Sequence, residues 1–112
     1  MGAEFRGKGA NVQLGPGLCL ARLPQNGRNF EYMSGEDPHL GYAMVQPAVE
    51  GIQSQGVIAN AKHFININQE TNRTTVSAEV DERTHFELYC NSTSNLPLVV
   101  ISGAVLTDCL CF

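Results

Sequence analysis

Between Asn11 and Lys62 the sequence sets out two short apolar runs with one helical stretch between them, and few architectures accept that order. Asn11-Val12-Gln13-Leu14 alternates and leaves through Gly15-Pro16-Gly17, which predicts a strand running into a loop. Leu18, Cys19, Leu20 and Ala21 continue the apolar character. Residues 22–37 carry Pro24, Asn26, Gly27, Gly35 and several charges, and are too long for a tight turn. Asp37-Pro38 then marks a helix start. Asp37 can accept backbone N–H bonds as N-cap, and Pro38 suits the first helical position, where no N–H is needed. Leu40, Met44, Ala48 and Ile52 recur at helical spacing and are expected to stack along one face. Pro47 is expected to kink this helix, since proline lacks an N–H and crowds the preceding turn. Gly56 reads as its C-terminal stop. Residues 57–61 form a short apolar run of the kind buried in parallel sheets, ending in Lys62-His63-Phe64. Strand, helix, strand in this order is a βαβ unit with a right-handed crossover, so the fold class is α/β.

Beyond residue 65 the signals thin out. Residues 66–75 are polar, and a second helix is predicted after Asp81, with Phe86 and Tyr89 on one side. Composition changes at Cys90. Residues 96–112 are apolar apart from Ser102, Thr107 and Asp108, but Pro97, Gly103 and Asp108 break the run and it is slightly short for a membrane span.

Composition sets outer bounds. A length of 112 residues, with 43% hydrophobic and 7% aromatic side chains, suits one small globular domain. The net charge of -4 comes without a basic patch, which excludes nucleic acid as the expected partner. Residues 1–10 are polar and glycine-rich, with no apolar core of a signal peptide. Met1-Gly2 does not continue into a myristoylation motif, because position six is Arg6. The chain is therefore expected to begin as though cut from something longer. Cys19, Cys90, Cys109 and Cys111 crowd toward the C-terminus, and His39, His63 and His85 are scattered, so neither a disulfide framework nor a metal site is expected. Asn72-Arg73-Thr74 and Asn91-Ser92-Thr93 are glycosylation sequons of a kind that chance often supplies.

Candidate chemistry follows from topology. In parallel α/β sheets, ligands bind at the C-terminal ends of strands. The loop after the first strand carries Arg28, Glu31, Glu36 and Asp37, and the end of the second carries Lys62 and His63. Both clusters fall on the same edge. An Arg, a Lys and a His converging there would donate hydrogen bonds to hydroxyls or to an anion. Taken singly, each has a plainer role. Arg28 and Glu31 could form an ordinary loop ion pair of little energy, and Asp37 could serve only as a helix cap. Gly7-Lys8-Gly9 does not extend into a phosphate-binding loop, since Val12 stands where glycine is required.

Taken together, these motifs resemble the family 3 glycoside hydrolases, the β-glucosidase-like enzymes. The resemblance runs through Gly27-Arg28-Asn29-Phe30-Glu31, Ser34-Gly35-Glu36-Asp37-Pro38, Val49-Glu50-Gly51-Ile52-Gln53-Ser54 and Gly56-Val57-Ile58-Ala59. It continues in Lys62-His63-Phe64, Asn68-Gln69-Glu70 and Val80-Asp81-Glu82-Arg83-Thr84, in order and with matching spacing over roughly residues 4–89. It implies a partial (β/α)8 TIM-barrel fragment of about two βα units over residues 1–89, followed by an unmatched apolar tail over residues 90–112, the pattern of a frameshift or a gene-model artefact. By resemblance Arg28, Lys62 and His63 bind a β-glucoside or oligosaccharide substrate, while Glu31, Asp37, Glu70, Arg73 and Arg83 support them. The family's retaining chemistry needs an aspartate nucleophile in a tryptophan-containing segment and a separate glutamate acid/base. This sequence has no tryptophan, so no residue here is given a catalytic role. No cofactor is implied, secretion is the family's habit, and the oligomeric state is left open. One departure stands out: Ile67 lies between Asn66 and Asn68, where relatives tend to be polar, and is expected to distort that loop.

Overall fold

The structure, a computed structural model, describes residues 1–90 and 105–107. The elements are α1 (Gly2–Gly7), β1 (Val12–Gln13), two 3₁₀ turns (Pro24–Asn26 and Asn29–Glu31), α2 (Pro38–Gln53), β2 (Ile58–Lys62), α3 (Glu82–Thr84) running into a π-helical turn (His85–Tyr89), and β3 (Val105–Thr107). The three strands lie in the order β1-β2-β3. Both pairings are parallel, with Val12 opposite Ile58 and Asn60 opposite Val105. The expected βαβ unit is therefore present, and α2 is its crossover.

The first strand is shorter and less regular than the alternation suggests. After Gln13 the chain swings out and returns to pair Gly17 with Lys62. Lys62 N donates to the Pro16 carbonyl at 3.0 Å, and Leu18 N donates to the Lys62 carbonyl at 2.7 Å. Between the Gln13–Ala59 and Gly17–Lys62 pairings, three residues on this side oppose two on β2, as in a β-bulge. The bulge carries pairing on to the last residue of β2, where the site is built.

Helix α2 starts where its sequence says. Asp37 Oδ1 accepts from His39 N at 2.9 Å, and Pro38 sits at the first helical position. The helix continues through Pro47. The buried stripe differs from expectation. Gly41, Val45, Val49 and Ile52 face inward, whereas Leu40 and Met44 are 44% and 43% exposed. The reason is shape: Val45, Val49 and Ile52 pack with Ala59 and Ala61 of β2, Leu18 and Val57, and small side chains on both sides let helix and sheet approach closely. Gly56, at φ 71°, then turns the chain into β2.

Other segments depart from the reading in instructive ways. The glycine-rich N-terminus forms α1, with Phe5 packed on the core and Gly2 buried against Ile52. After Asp81, whose Oδ1 accepts from Thr84 N at 3.0 Å, the helix widens at once into the π turn. Cys90 N bonds back five residues to the His85 carbonyl. That wider turn rotates Phe86 away from Tyr89: Tyr89 is buried and Phe86 is 64% exposed, so the two do not share a side. Residues 105–107, within the stretch expected to be an unmatched tail, pair in parallel with β2. The rest of that apolar segment, Cys109, Cys111 and the sequon at Asn91 lie outside the described residues.

Candidate functional site

Backbone packing comes first at this site. Gly17 ends the bulge, and a Cβ there would lie 2.7 Å from the Glu31 carbonyl oxygen and 2.9 Å from Tyr32 Cδ1. Only glycine lets the 3₁₀ turn at Asn29–Glu31 lie this close to the strand. Met33 N donates to the Gly17 carbonyl at 3.0 Å, and Ser34 Oγ donates to the Leu18 carbonyl at 2.7 Å, so the loop folds back along the strand. Gly27, at φ 92°, turns the chain into Arg28. Buried Asn26 donates to the Ile67 carbonyl at 2.8 Å and to Asn29 Oδ1 at 3.0 Å, which ties the loop after β1 to the loop after β2. Next to Ile67 the loop does turn unusually, with Asn66 at φ 61°. Ile67 itself is buried with Cys19 and Tyr32 and anchors the loop through its side chain and its carbonyl together.

On this frame Arg28, Glu31, Lys62, His63 and Glu70 come together. Arg28 Nε donates to Glu31 Oε1, Nη1 donates to Glu70 Oε1 at 3.1 Å, and Nη2 lies 3.1 Å from His63 Nε2. Lys62 Nζ donates to Glu31 Oε2 at 2.9 Å. The four charged side chains are 18–32% exposed, so they are neither surface pairs nor fully desolvated. Arg73 joins at the margin, 3.5 Å from Glu70 Oε1 and half exposed. The Tyr32 ring stands edge-on to His63, with centroids 6.1 Å apart. The peptide between Lys62 and His63 is cis. A cleft of about 450 Å³ opens beside Glu31 and Lys62, walled by Gly17, Phe30, Tyr32 and Met33.

The charge states follow from these contacts. Burial opposes the charge on Arg28, but its hydrogen bonds to Glu31 and Glu70 outweigh that and hold it firmly protonated. Burial pushes the Glu31 carboxyl up, and hydrogen bonds from Lys62 and Arg28 more than offset it, so the group lies below its ordinary range. Burial, then the charges of Arg28 and Lys62, lower His63 and keep it neutral. Arginine can only donate, so His63 Nε2 accepts and the proton sits on Nδ1. A guanidinium has five N–H groups and an ammonium three. With these contacts made, Arg28, Lys62 and the His63 Nδ1–H all keep donors to offer to hydroxyl oxygens.

Two of the anticipated supporting residues lie elsewhere. Asp37 caps α2, and Arg83 pairs with Glu87 on α3 and its π turn, at 3.0 Å and 82% and 61% exposed. Tyr32, Asn26 and Gly17 belong to the site, and no feature of the residues read one at a time singled them out. A glycine before an apolar run is the one available signal, and it is weak. Among the described residues, no group of three or more His, Cys, Asp or Glu could hold a metal ion, and no helix is long and apolar enough to cross a membrane.

Comparison with known proteins converges on one family. The profile of the Glycosyl hydrolase family 3 N terminal domain matches residues 1–94. Among curated proteins, the chain is 49% identical over 90 residues to a probable beta-glucosidase L of Emericella nidulans, covering 80% of this chain and 12% of that one. It is 46% identical over 95 residues to the thermostable beta-glucosidase B of Acetivibrio thermocellus, covering 85% and 12%. Among solved structures, beta-glucosidase 3B of Thermotoga neapolitana in complex with glucose superposes with a TM-score of 0.79 at 38% identity, over 100% of this chain and 16% of that one. The chain thus spans about one-eighth of the length of these two curated relatives. A match over residues 1–94, relatives at 46–49% identity and a common fold place the chain in glycosyl hydrolase family 3, within that family's N-terminal domain.

Proposed function

We propose that this chain forms the sugar-holding part of a (β/α)8 barrel in a retaining glycoside hydrolase acting on β-glucosides. The observation that carries the reading is the cluster of Arg28, Glu31, Lys62, His63 and Glu70 at the C-terminal ends of two adjacent parallel strands. That edge is where barrel enzymes bind their substrates. Three parallel strands in sequential order are what a (β/α)8 barrel requires, and the glucose complex of the Thermotoga neapolitana relative fits the same reading.

In this mechanism Arg28, Lys62 and His63 donate hydrogen bonds to sugar hydroxyls. Glu31 and Glu70 hold the two cations in place, and Arg73 braces Glu70. Asp37 supports from behind by capping α2, which packs against β2. Arg83 supports α3 and the turn after it. Retaining hydrolysis splits the reaction at a covalent glycosyl-enzyme, which needs a carboxylate nucleophile and an acid/base. No residue of this chain is assigned either role. The present residues contribute orientation, and orientation lowers the barrier only when the reacting groups are also present.

The test is a glucose titration of the chain followed by NMR. Shifts should centre on Arg28, Lys62 and His63, with a dissociation constant on the order of 1 mM. Exchanging Lys62 and His63 together for alanine should remove them. A folded chain that shows no glucose-dependent shift would sink this reading.

A further inference from the structure

Among the described residues, Glu31 alone touches both cations of the candidate sugar site. Its two carboxylate oxygens are divided between them, Oε1 to Arg28 Nε and Oε2 to Lys62 Nζ. Glu70 is built differently: a single oxygen, Oε1, meets both Arg28 and Arg73, and no contact reaches Lys62. Arg28 and Lys62 belong to different parts of the fold, the loop after β1 and the last residue of β2. Left alone, two like charges at this spacing repel, and the four-carbon stem of a lysine leaves its ammonium free to swing.

We propose that Glu31 is a positioning residue for sugar binding: its carboxylate sets the spacing of Arg28 and Lys62, so their remaining N–H groups meet the substrate as one preassembled set of donors. This rests on the sugar-binding role proposed above. Both Glu31 oxygens are engaged by protein cations, so it acts through its partners. Its own placement is unusually well determined. Its N–H bonds the Arg28 carbonyl at 3.2 Å, and its carbonyl lies against Gly17, where no side chain fits. A rigid carboxylate that holds two flexible cations removes, before binding, ordering that the sugar would otherwise have to impose.

The experiment compares the chain with Glu31→Gln, which preserves shape but offers one acceptor oxygen and an amide NH₂ in place of two acceptors. Three signals are followed by NMR: the Arg28 Nε–H, the Lys62 ammonium and the glucose-induced shifts. The expected result is that Glu31→Gln changes the Arg28 and Lys62 signals together and weakens glucose at least tenfold, about 1.4 kcal/mol. Glu70→Gln should change Arg28 but leave Lys62 where it was. Glucose affinity unchanged in a folded Glu31→Gln chain would overturn the proposal while leaving the sugar reading intact. Absence of glucose binding to the unaltered chain would instead remove the sugar reading itself. Should Glu31→Gln not fold, an acid titration of the Glu70→Gln chain, in which Glu31 is the carboxylate left on Arg28, decides. One carboxylate holding both cations gives the Arg28 and Lys62 signals a common midpoint, and two separate midpoints overturn the proposal.

Discussion

Arg28 and Arg83 each pair with a glutamate close by in sequence, Glu31 three residues on and Glu87 four, yet the two pairs do different work. The Arg83–Glu87 pair lies in solvent on α3 and its π turn, with no third ion-pair partner among the described residues. The Arg28–Glu31 pair is about one-fifth exposed and locks into Lys62, Glu70 and His63 from the next strand and its loop. Water screens the first, and side-chain ordering cancels most of its gain. In the second, each group is partly desolvated and hydrogen-bonded, so removing one member leaves half-buried charges short of a partner. Spacing along the chain does not separate the two cases; what each pair meets across the fold does.

The strongest way to break this contrast is to overpack the backbone beneath the Arg28–Glu31 pair without touching its charges. Gly17→Ala puts a Cβ 2.7 Å from the Glu31 carbonyl, so backbone must shift. Overpacking of this kind should cost about 2 kcal/mol, read by chemical denaturation, and should weaken glucose binding in step. A variant with unchanged stability would show that the turn at Asn29–Glu31 relaxes freely and that the frame under Glu31 is not rigid.

Acid gives a smaller and graded effect, and its sign is set by which state holds the proton more tightly. Glu31 is lowered from an ordinary value of 4.5 when folded. The stability it adds is therefore fully present above that value and is lost as pH falls through the folded one. His63 is lowered from 6.5, so the unfolded chain takes up its proton first and stability begins to fall below 6.5. Thermal midpoints should decline first as pH falls below 6.5, through His63, and again as it falls below 4.5, through Glu31. Replacing His63 by glutamine should abolish the upper part of that decline and leave the lower. A decline that keeps its upper part in the variant would assign it to another group.

The smallest effect belongs to the exposed pair. Arg83→Ala should change stability by no more than about 0.5 kcal/mol and leave glucose affinity alone. A loss several times larger would mean that the exposed pair makes a tertiary contact that its exposure denies.

Much of the frame was legible in single residues and short runs. Asp37-Pro38 announced the start of α2 and Gly56 its end, because an N-cap oxygen and a left-handed glycine act within one turn of the backbone. The run at residues 57–61 announced β2 for the same local reason. On α2 the expected Ile52 is buried, but Leu40 and Met44, with the right spacing and hydrophobicity, stay outside, and Val45 and Val49 pack with Ala59 and Ala61 instead. Helix α1 escaped notice, since its glycines pointed away from a helix and only packing against Ile52 repays them. Phe86 and Tyr89 were placed on one side by ordinary helical spacing, which the π turn voided.

The candidate site divides along the same line. Residue types and topology were enough to bring Arg28, Lys62 and His63 to one edge of the sheet, because parallel strands present their C-terminal ends together. Their pairing was not available at that level. The Arg28–Glu70 contact joins residues 42 apart in sequence, and the Lys62–Glu31 contact joins residues 31 apart. Which oxygen meets which nitrogen depends on the bulge before Gly17, the bare Cα at Gly17 and the Asn26–Ile67 tie. The sequence by itself therefore determined the order of β1, α2 and β2, the edge that carries chemistry and the kinds of groups on it. The tertiary structure decided the inward face of α2, the one-carboxylate clasp of Glu31 and the neutrality of His63. Local hydrogen bonds act within a turn of the chain, whereas ion pairing and desolvation depend on neighbours that only the folded chain supplies.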